Sequence, residues 1–316
     1  VAALIALCTG SYWIPPGDVF YSFVSYFQSS DTTVVESIVV NLRAPRVLLA
    51  IMVGVGLAVA GAAFQATFSN PLASPDVLGV SSGAAFGAAL GILLLDNDIL
   101  TQVFAVIFGL LAISIVFLLC RSARSESILM IVLSGIIVAG LFSALVSMTK
   151  YVADPMSKLP EITFWLMGSL SGASYSKIEI AAPMFIIGLV VIYVMKWRLN
   201  ILTLSDEEVR ALGHNPGKVR WISVLASTLI VAAVVSLCGL VGWVGLVIPH
   251  VARMLVGSDN RYVIPMSIAI GGCFMLIMDT ICRTVSVSEI PLSIMTALVG
   301  APLFAALFIW KGKGWT

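Results

Sequence analysis

The feature that most constrains this chain is its succession of apolar runs, several of which reach the ~20 residues that a helix needs to cross a bilayer. They lie at about 46–69, 78–95, 101–120, 128–149, 178–197, 221–240, 242–257, 262–284 and 290–311. Val1–Trp13 reads as the outer part of a further one. That makes ten segments and predicts an all-α, polytopic membrane protein. Composition agrees: 60% of residues are hydrophobic and 10% charged, against roughly a quarter charged in soluble domains. A formal net charge of +1, with no basic patch, gives no footprint for nucleic acid. Val1–Trp13 is not a signal peptide by this reading, since it has neither a basic leader nor a small-residue cleavage site. The true N-terminus is expected to lie upstream of Val1.

The stretches between the runs are more informative. Residues 14–41, with Pro15, Pro16, Asp18, Asp31 and Glu36, read as lying outside the bilayer. Asn70-Pro71-Leu72-Ala73-Ser74-Pro75 reads as a prolyl turn that breaks the second run. A short apolar piece, 162–170, is too short to cross and suits a re-entrant or surface helix beside a cavity. The longest polar interruption is 199–220, LNILTLSDEEVRALGHNPGKVR. Ser205 is placed to cap a short helix whose first turn carries Asp206, Glu207 and Glu208, the end of the helix dipole that favours acids. Gly213 reads as its C-terminal stop. The choice is between a rigid handle and an ordinary solvated loop. With this stretch inside, 11 of the 17 Lys and Arg residues fall on the cytoplasmic side, and both termini are cytoplasmic. Arg43, Arg46, Lys150, Lys158, Lys177 and Arg283 are then outside.

Chemistry in the bond-making sense finds little support. No G-x-x-x-x-G-K-[ST] occurs, so nucleotide binding by a P-loop is not expected of this chain. Gly79-Val80-Ser81-Ser82-Gly83 matches a nucleophile-elbow pattern, but it opens an apolar helix and no histidine is expected at its depth. Small residues at a helix–helix contact are the preferred reading. His214 and His250 share no ligand spacing, and the five cysteines show no C-x-x-C, so a metal site is not predicted. Asp279 and Arg283, four apart, suit an ion pair near the outer rim. Gln65 and Asn70 suit inter-helix hydrogen bonds.

A set of ordered motifs resembles one family, the FecCD-type permeases of bacterial and archaeal ABC importers for cobalamin, ferric siderophores and haem. The motifs are Leu42-Arg43-Ala44-Pro45-Arg46; Ala60-Gly61 with Gln65; Asn70 to Val80 (NPLASPDVLGV); Phe164 to Ser169 (FWLMGS); Leu212-Gly213; Gly245 to His250 (GLVIPH); Glu289-Ile290-Pro291; and Gly300-Ala301-Pro302. The resemblance covers essentially the whole chain, as a single permease domain over 1–316. It implies a homodimer around a central translocation pathway in the cytoplasmic membrane. It also implies two separate ATPase subunits that hold the ATP and Mg, and a periplasmic or lipid-anchored binding protein. No cofactor of the chain's own is implied.

By the same resemblance, Leu204, Ser205, Asp206, Glu207, Glu208, Arg210, Leu212 and Gly213 are the elements that couple to the ATPase. Arg43, Arg46 and Arg283 would dock the binding protein, with internal pairing or headgroup contact as the alternative. Met130, Ser134, Val138, Leu141, Leu145 and Met148 would line the pathway, with its inner mouth near 125–129. Iron chelate, haem or cobalamin is the expected cargo, and a small oxyanion such as molybdate is the alternative. An ion-coupled secondary transporter is the rival class, weakened by the scarcity of charges within the apolar runs.

Overall fold

The computed structural model describes residues 1–316 apart from 11, 27–32, 96, 124–126, 287 and 312–316. Every regular element among the described residues is helical. Two short helices, α1 (Ala2–Cys8) and α2 (Pro16–Tyr26), come first. A capping box then starts α3 (Val34–Ser37): the Thr33 hydroxyl accepts from the Glu36 N–H, and the Glu36 carboxylate accepts from the Thr33 N–H. α3 continues through wide π-helical turns at Ile38–Arg43 into α4 (Ala44–Thr67). The result is one rod, Val34–Thr67, of 34 residues and about 50 Å. This corrects the expectation that everything up to Asn41 is separate from the span. The helix begins well before residue 46, and a rod this long overshoots a hydrocarbon core of about 30 Å.

The remaining helices are α5 (Val80–Leu94), α6 (Asp98–Ser122), α7 (Ile128–Val152), α8 (Lys158–Leu166), α9 (Tyr175–Met195), α10 (Arg198–Ile201), α11 (Asp206–Ala211), α12 (Pro216–Cys238), α13 (Val244–Val256), α14 (Asn260–Val285) and α15 (Leu292–Lys311). Six helical stretches are long and apolar enough to cross a membrane: Val34–Thr67, Asp98–Ser122, Ile128–Val152, Tyr175–Met195, Pro216–Cys238 and Asn260–Val285. With the shorter apolar helices α5, α13 and α15 and the partial α1, they account for the ten segments read from the sequence.

α4 is the axis of the bundle. It is buried on nearly every side, against α14, α12 and α13. Small residues make this possible, because without a side chain two helix backbones can touch. A Cβ on Gly54 would lie 2.1 Å from the Gly271 carbonyl oxygen, and one on Gly61 would lie 1.9 Å from that of Gly245.

Two stretches outside the α-helices, the first with a 3₁₀ turn at Pro75–Leu78, explain why α5 and α13 are short. After α4 the chain turns beside α10, where the Ser69 hydroxyl donates to the Leu202 carbonyl at 2.9 Å. It then re-enters the bundle, with Val77 and Leu78 against Gly135 and Gly79 against Ala139 of α7. α5 therefore starts partway along α7. Gly79, at φ +73°, makes that turn. Residues 239–243 do the same before α13, with Trp243 held at φ +69°. Unpaired backbone at this depth is tolerated where protein or a cavity surrounds it. Here the two stretches share a cavity of about 250 Å³, lined in part by Ser74, Asp76, Ser81, Gly242 and Trp243.

Candidate functional site

The polar interruption at 199–220 folds as two short helices and the first turns of α12. α11 is finished at both ends. At its start the Ser205 hydroxyl accepts from the Glu208 N–H, and the Glu208 carboxylate accepts from the Ser205 N–H at 2.9 Å. At its end Gly213, at φ +79°, donates to the Arg210 carbonyl and His214 donates to the Val209 carbonyl. That pairing is the Schellman arrangement, which only a residue tolerant of positive φ closes without strain. Ser205 and Gly213 thus act as the sequence predicts.

Six residues are too few for a stable free helix in water. α11 is anchored instead. Val209 is fully buried beneath it, while Glu207, Glu208, Arg210, Leu212 and Gly213 face solvent, with Leu212 60% exposed. Leu204, just ahead of the cap, is also exposed. Asp206 departs from the sequence reading. It is not simply a first-turn acid but the carboxylate of a two-point ion pair with Arg220, Nη1–Oδ2 at 3.1 Å and Nη2–Oδ1 at 2.5 Å. The hydrogen bonds from Arg220 hold the Asp206 carboxyl below the usual carboxylate range. A depressed pKa keeps the pair charged as pH falls through that range, and the stability it contributes is fully lost only below the depressed value. Backbone and hydroxyl donors at Ser205 lower Glu208 in the same direction.

The three arginines expected at the outer rim are placed quite differently from free docking cations. α1 ends with unpaired carbonyls, as every helix does. Arg43 donates to those of Leu7 and Cys8 at 2.6 and 3.0 Å and to that of Tyr12, and Arg283 donates to that of Ala6. Arg46 is held between two acids, with Nη2 2.8 Å from Asp279 and Nη1 2.8 Å from Glu289. Arg283 meets Asp279 at 3.6 Å, an ion pair too long for a hydrogen bond. Arg43 and Arg283 are buried and Arg46 nearly so. The geometry therefore supports the alternative of internal pairing: these cations tie α1, α4, α14 and the stretch before α15 together. Asp279 pairs chiefly with Arg46, not with its i+4 neighbour.

The six residues assigned to the pathway do not share a face of α7. Ser134 and Val138 are buried inside the subunit, Ser134 against Cys120. Leu141 and Met148 are open, at 51% and 59% exposure, and Met130 and Leu145 are half-buried between these faces. Ser134 and Val138, at 0% and 1% exposure, therefore lie on the opposite side of α7 from Leu141 and Met148. The open face runs Leu129, Leu133, Ile136, Ile137, Leu141 and Met148. The inner-mouth residues Ser125 and Glu126 lie outside the described residues.

The remaining candidates are structural. The Gln65 amide donates to the Leu246 carbonyl at 3.2 Å and accepts from Arg253, joining α4 to α13 as an inter-helix bond. Asn70 instead accepts from the Leu72 N–H within its own turn. The Ser81 hydroxyl is given to Asp76 at 2.6 Å, and Gly83 packs against the Phe108 carbonyl, so the elbow-like motif is a helix contact.

Comparison with known proteins shows the family and the fold. The molybdate import system permease protein MolB of Haemophilus influenzae is 38% identical over 99% of this chain and 93% of its own length. A probable iron chelatin transport system permease protein of Helicobacter pylori strain 26695 is 35% identical over 92% of this chain and 87% of its own. A solved inward-facing structure, described as a putative metal-chelate type ABC transporter, superposes with a TM-score of 0.88 at 38% identity, covering 98% of this chain and 95% of that one. The family model described as the FecCD transport family matches residues 1–310. The chain is a multi-pass membrane protein and belongs to the FecCD transport family.

Proposed function

We propose that this chain is the membrane permease of an ATP-driven importer that moves a metal chelate such as a ferric siderophore, haem or cobalamin. It works as a homodimer in the cytoplasmic membrane of a bacterium or archaeon, with both termini in the cytoplasm. Two ATPase subunits supply ATP and Mg chemistry from below, and a binding protein delivers cargo from outside. The observation that carries this reading is α11: a helix capped at both ends, seated on one buried valine, with its other face offered to solvent. An element so stiffened transmits displacement, and the P-loop that would power it is not in these 316 residues. Leu204, Glu207, Arg210 and Leu212 form the face that a motor subunit would grip. The open apolar face of α7 suits a passage that holds its cargo weakly. Arg43, Arg46 and Arg283 are not assigned to docking, because their guanidinium groups are engaged within the subunit.

A second cargo, molybdate or a similar oxyanion, is favoured by the 38% identity to MolB along nearly the whole chain. The transport architecture is the same for both.

Co-purification tests the proposal. The tagged permease is expected to retain an ATPase subunit through detergent extraction. Glu207→Ala combined with Arg210→Ala should release it, with the thermal midpoint of the permease unchanged. Extraction of the unaltered permease with no nucleotide-hydrolysing companion would contradict the reading.

A further inference from the structure

We infer that Arg220 is a positioning residue that bolts the coupling helix to the membrane body, so that motion of α11 becomes motion of α12. The inference rests on the coupling reading of α11 proposed above.

The connection between α11 and α12 is short, residues 212–215: Gly213 and His214 bond back to α11, and Asn215 caps α12. The contacts that join the two helices directly are the buried Val209 and the Arg220–Asp206 fork. Val209 is an apolar contact without direction. The fork is directional, because two parallel N–H···O bonds define both a distance and an angle. Its two halves also belong to different bodies. Asp206 opens the surface helix and stays 44% exposed at its side chain, whereas Arg220 is 6% exposed and sits in the second turn of α12. α12 then continues as a largely buried span against α4 and α9. A push on α11 therefore has a directional route into the centre of the bundle through the Arg220 guanidinium.

That guanidinium has no second allegiance. Its Nε is buried without a hydrogen-bond partner, and both of its other nitrogens go to Asp206. A buried cation with a single carboxylate partner makes the pair asymmetric. Removing the acid leaves an uncompensated buried charge, whereas replacing both partners by apolar groups costs far less. Stability and transmission can thus be separated, which is how a lever differs from a brace. Asp206→Ala loses both. Asp206→Ala together with Arg220→Met regains stability without the directional link.

The test uses the whole importer, permease with ATPase subunits, in lipid vesicles. Spin labels placed by Ala211→Cys and Leu225→Cys, both at exposed positions, report the distance between α11 and α12 in a background lacking the native cysteines. The unaltered pair is expected to give one narrow distance, kept in the ATP–vanadate state as α11 and α12 move together. Asp206→Ala should lower the thermal midpoint and broaden the distribution. The double variant should recover the midpoint while the distribution stays broad and ATP hydrolysis continues. A narrow distance in the double variant, retained in ATP–vanadate, would overturn the inference and leave the fork as a stabilising contact only. Failure of the coupling reading looks different: labels on α11 and on the ATPase would show no approach in the unaltered complex, whatever the width of the α11–α12 distance.

Discussion

Gly61→Val is expected to abolish accumulation of folded permease. The backbones of α4 and α13 touch at this point: a Cβ on Gly61 would sit 1.9 Å from the Gly245 carbonyl oxygen and 2.6 Å from its carbon. An extra methylene in a packed core costs about 1–3 kcal/mol when neighbouring side chains can shift. Here the neighbour is backbone, and three added carbons can be seated only by parting the two helices. That would also break the hydrogen bond from Gln65 to the Leu246 carbonyl one turn further on. Gly272→Ala is the matched control, since its added carbon would have no neighbour nearer than 3.5 Å. Yield of monodisperse protein in detergent distinguishes the two. Equal yields would mean that α4 and α13 are not in backbone contact.

Asp279→Ala should be the most damaging of the charge deletions, by about 3–5 kcal/mol of unfolding free energy. Asp279 is 1% exposed and lies between Arg46 and Arg283, both largely enclosed. Without it Arg283 keeps only the Ala6 carbonyl as a named partner, and Arg46 keeps only Glu289. Glu289→Ala should cost far less, because that side chain is 36% exposed and water can replace it. Thermal unfolding in detergent orders the two variants. A midpoint for Asp279→Ala at or above that of Glu289→Ala would remove the network from the forces that hold α1, α4 and α14 together.

These two sites also mark what can be read in a sequence of this kind. Span positions were legible because length and hydropathy are local properties: residues 128–149 became Ile128–Val152, and 262–284 became Asn260–Val285. The handle was legible for the same reason, since Ser205, Glu208 and Gly213 each act within four residues of their partners. Partners distant in sequence left no such trace. Arg46 and Asp279 stand 233 positions apart, and the spacing that was visible, Asp279 to Arg283, proved to be the weaker contact. Asp206 reads as a first-turn acid from its place after Ser205, and its partner Arg220, 14 positions on in the next helix, goes unseen. The pathway residues show a different limit. Ser134 and Val138 lie one turn apart on the buried side of α7, and Leu141 and Met148 lie two turns apart on the open side. The helical period separates the two pairs, but an apolar span gives no sign of which side faces protein and which faces lipid or a passage.

The central claim is that this subunit moves cargo only when a separate motor hydrolyses nucleotide. Its most direct test is uptake into vesicles containing the permease, its ATPase subunits and the cognate binding protein. The probes are a radiolabelled ferric siderophore, haem, cobalamin and molybdate, offered in turn. The account predicts accumulation of one of them with ATP inside, none with a non-hydrolysable analogue, and none from the permease alone under an imposed proton or sodium gradient. Gradient-driven accumulation by the isolated permease would contradict it.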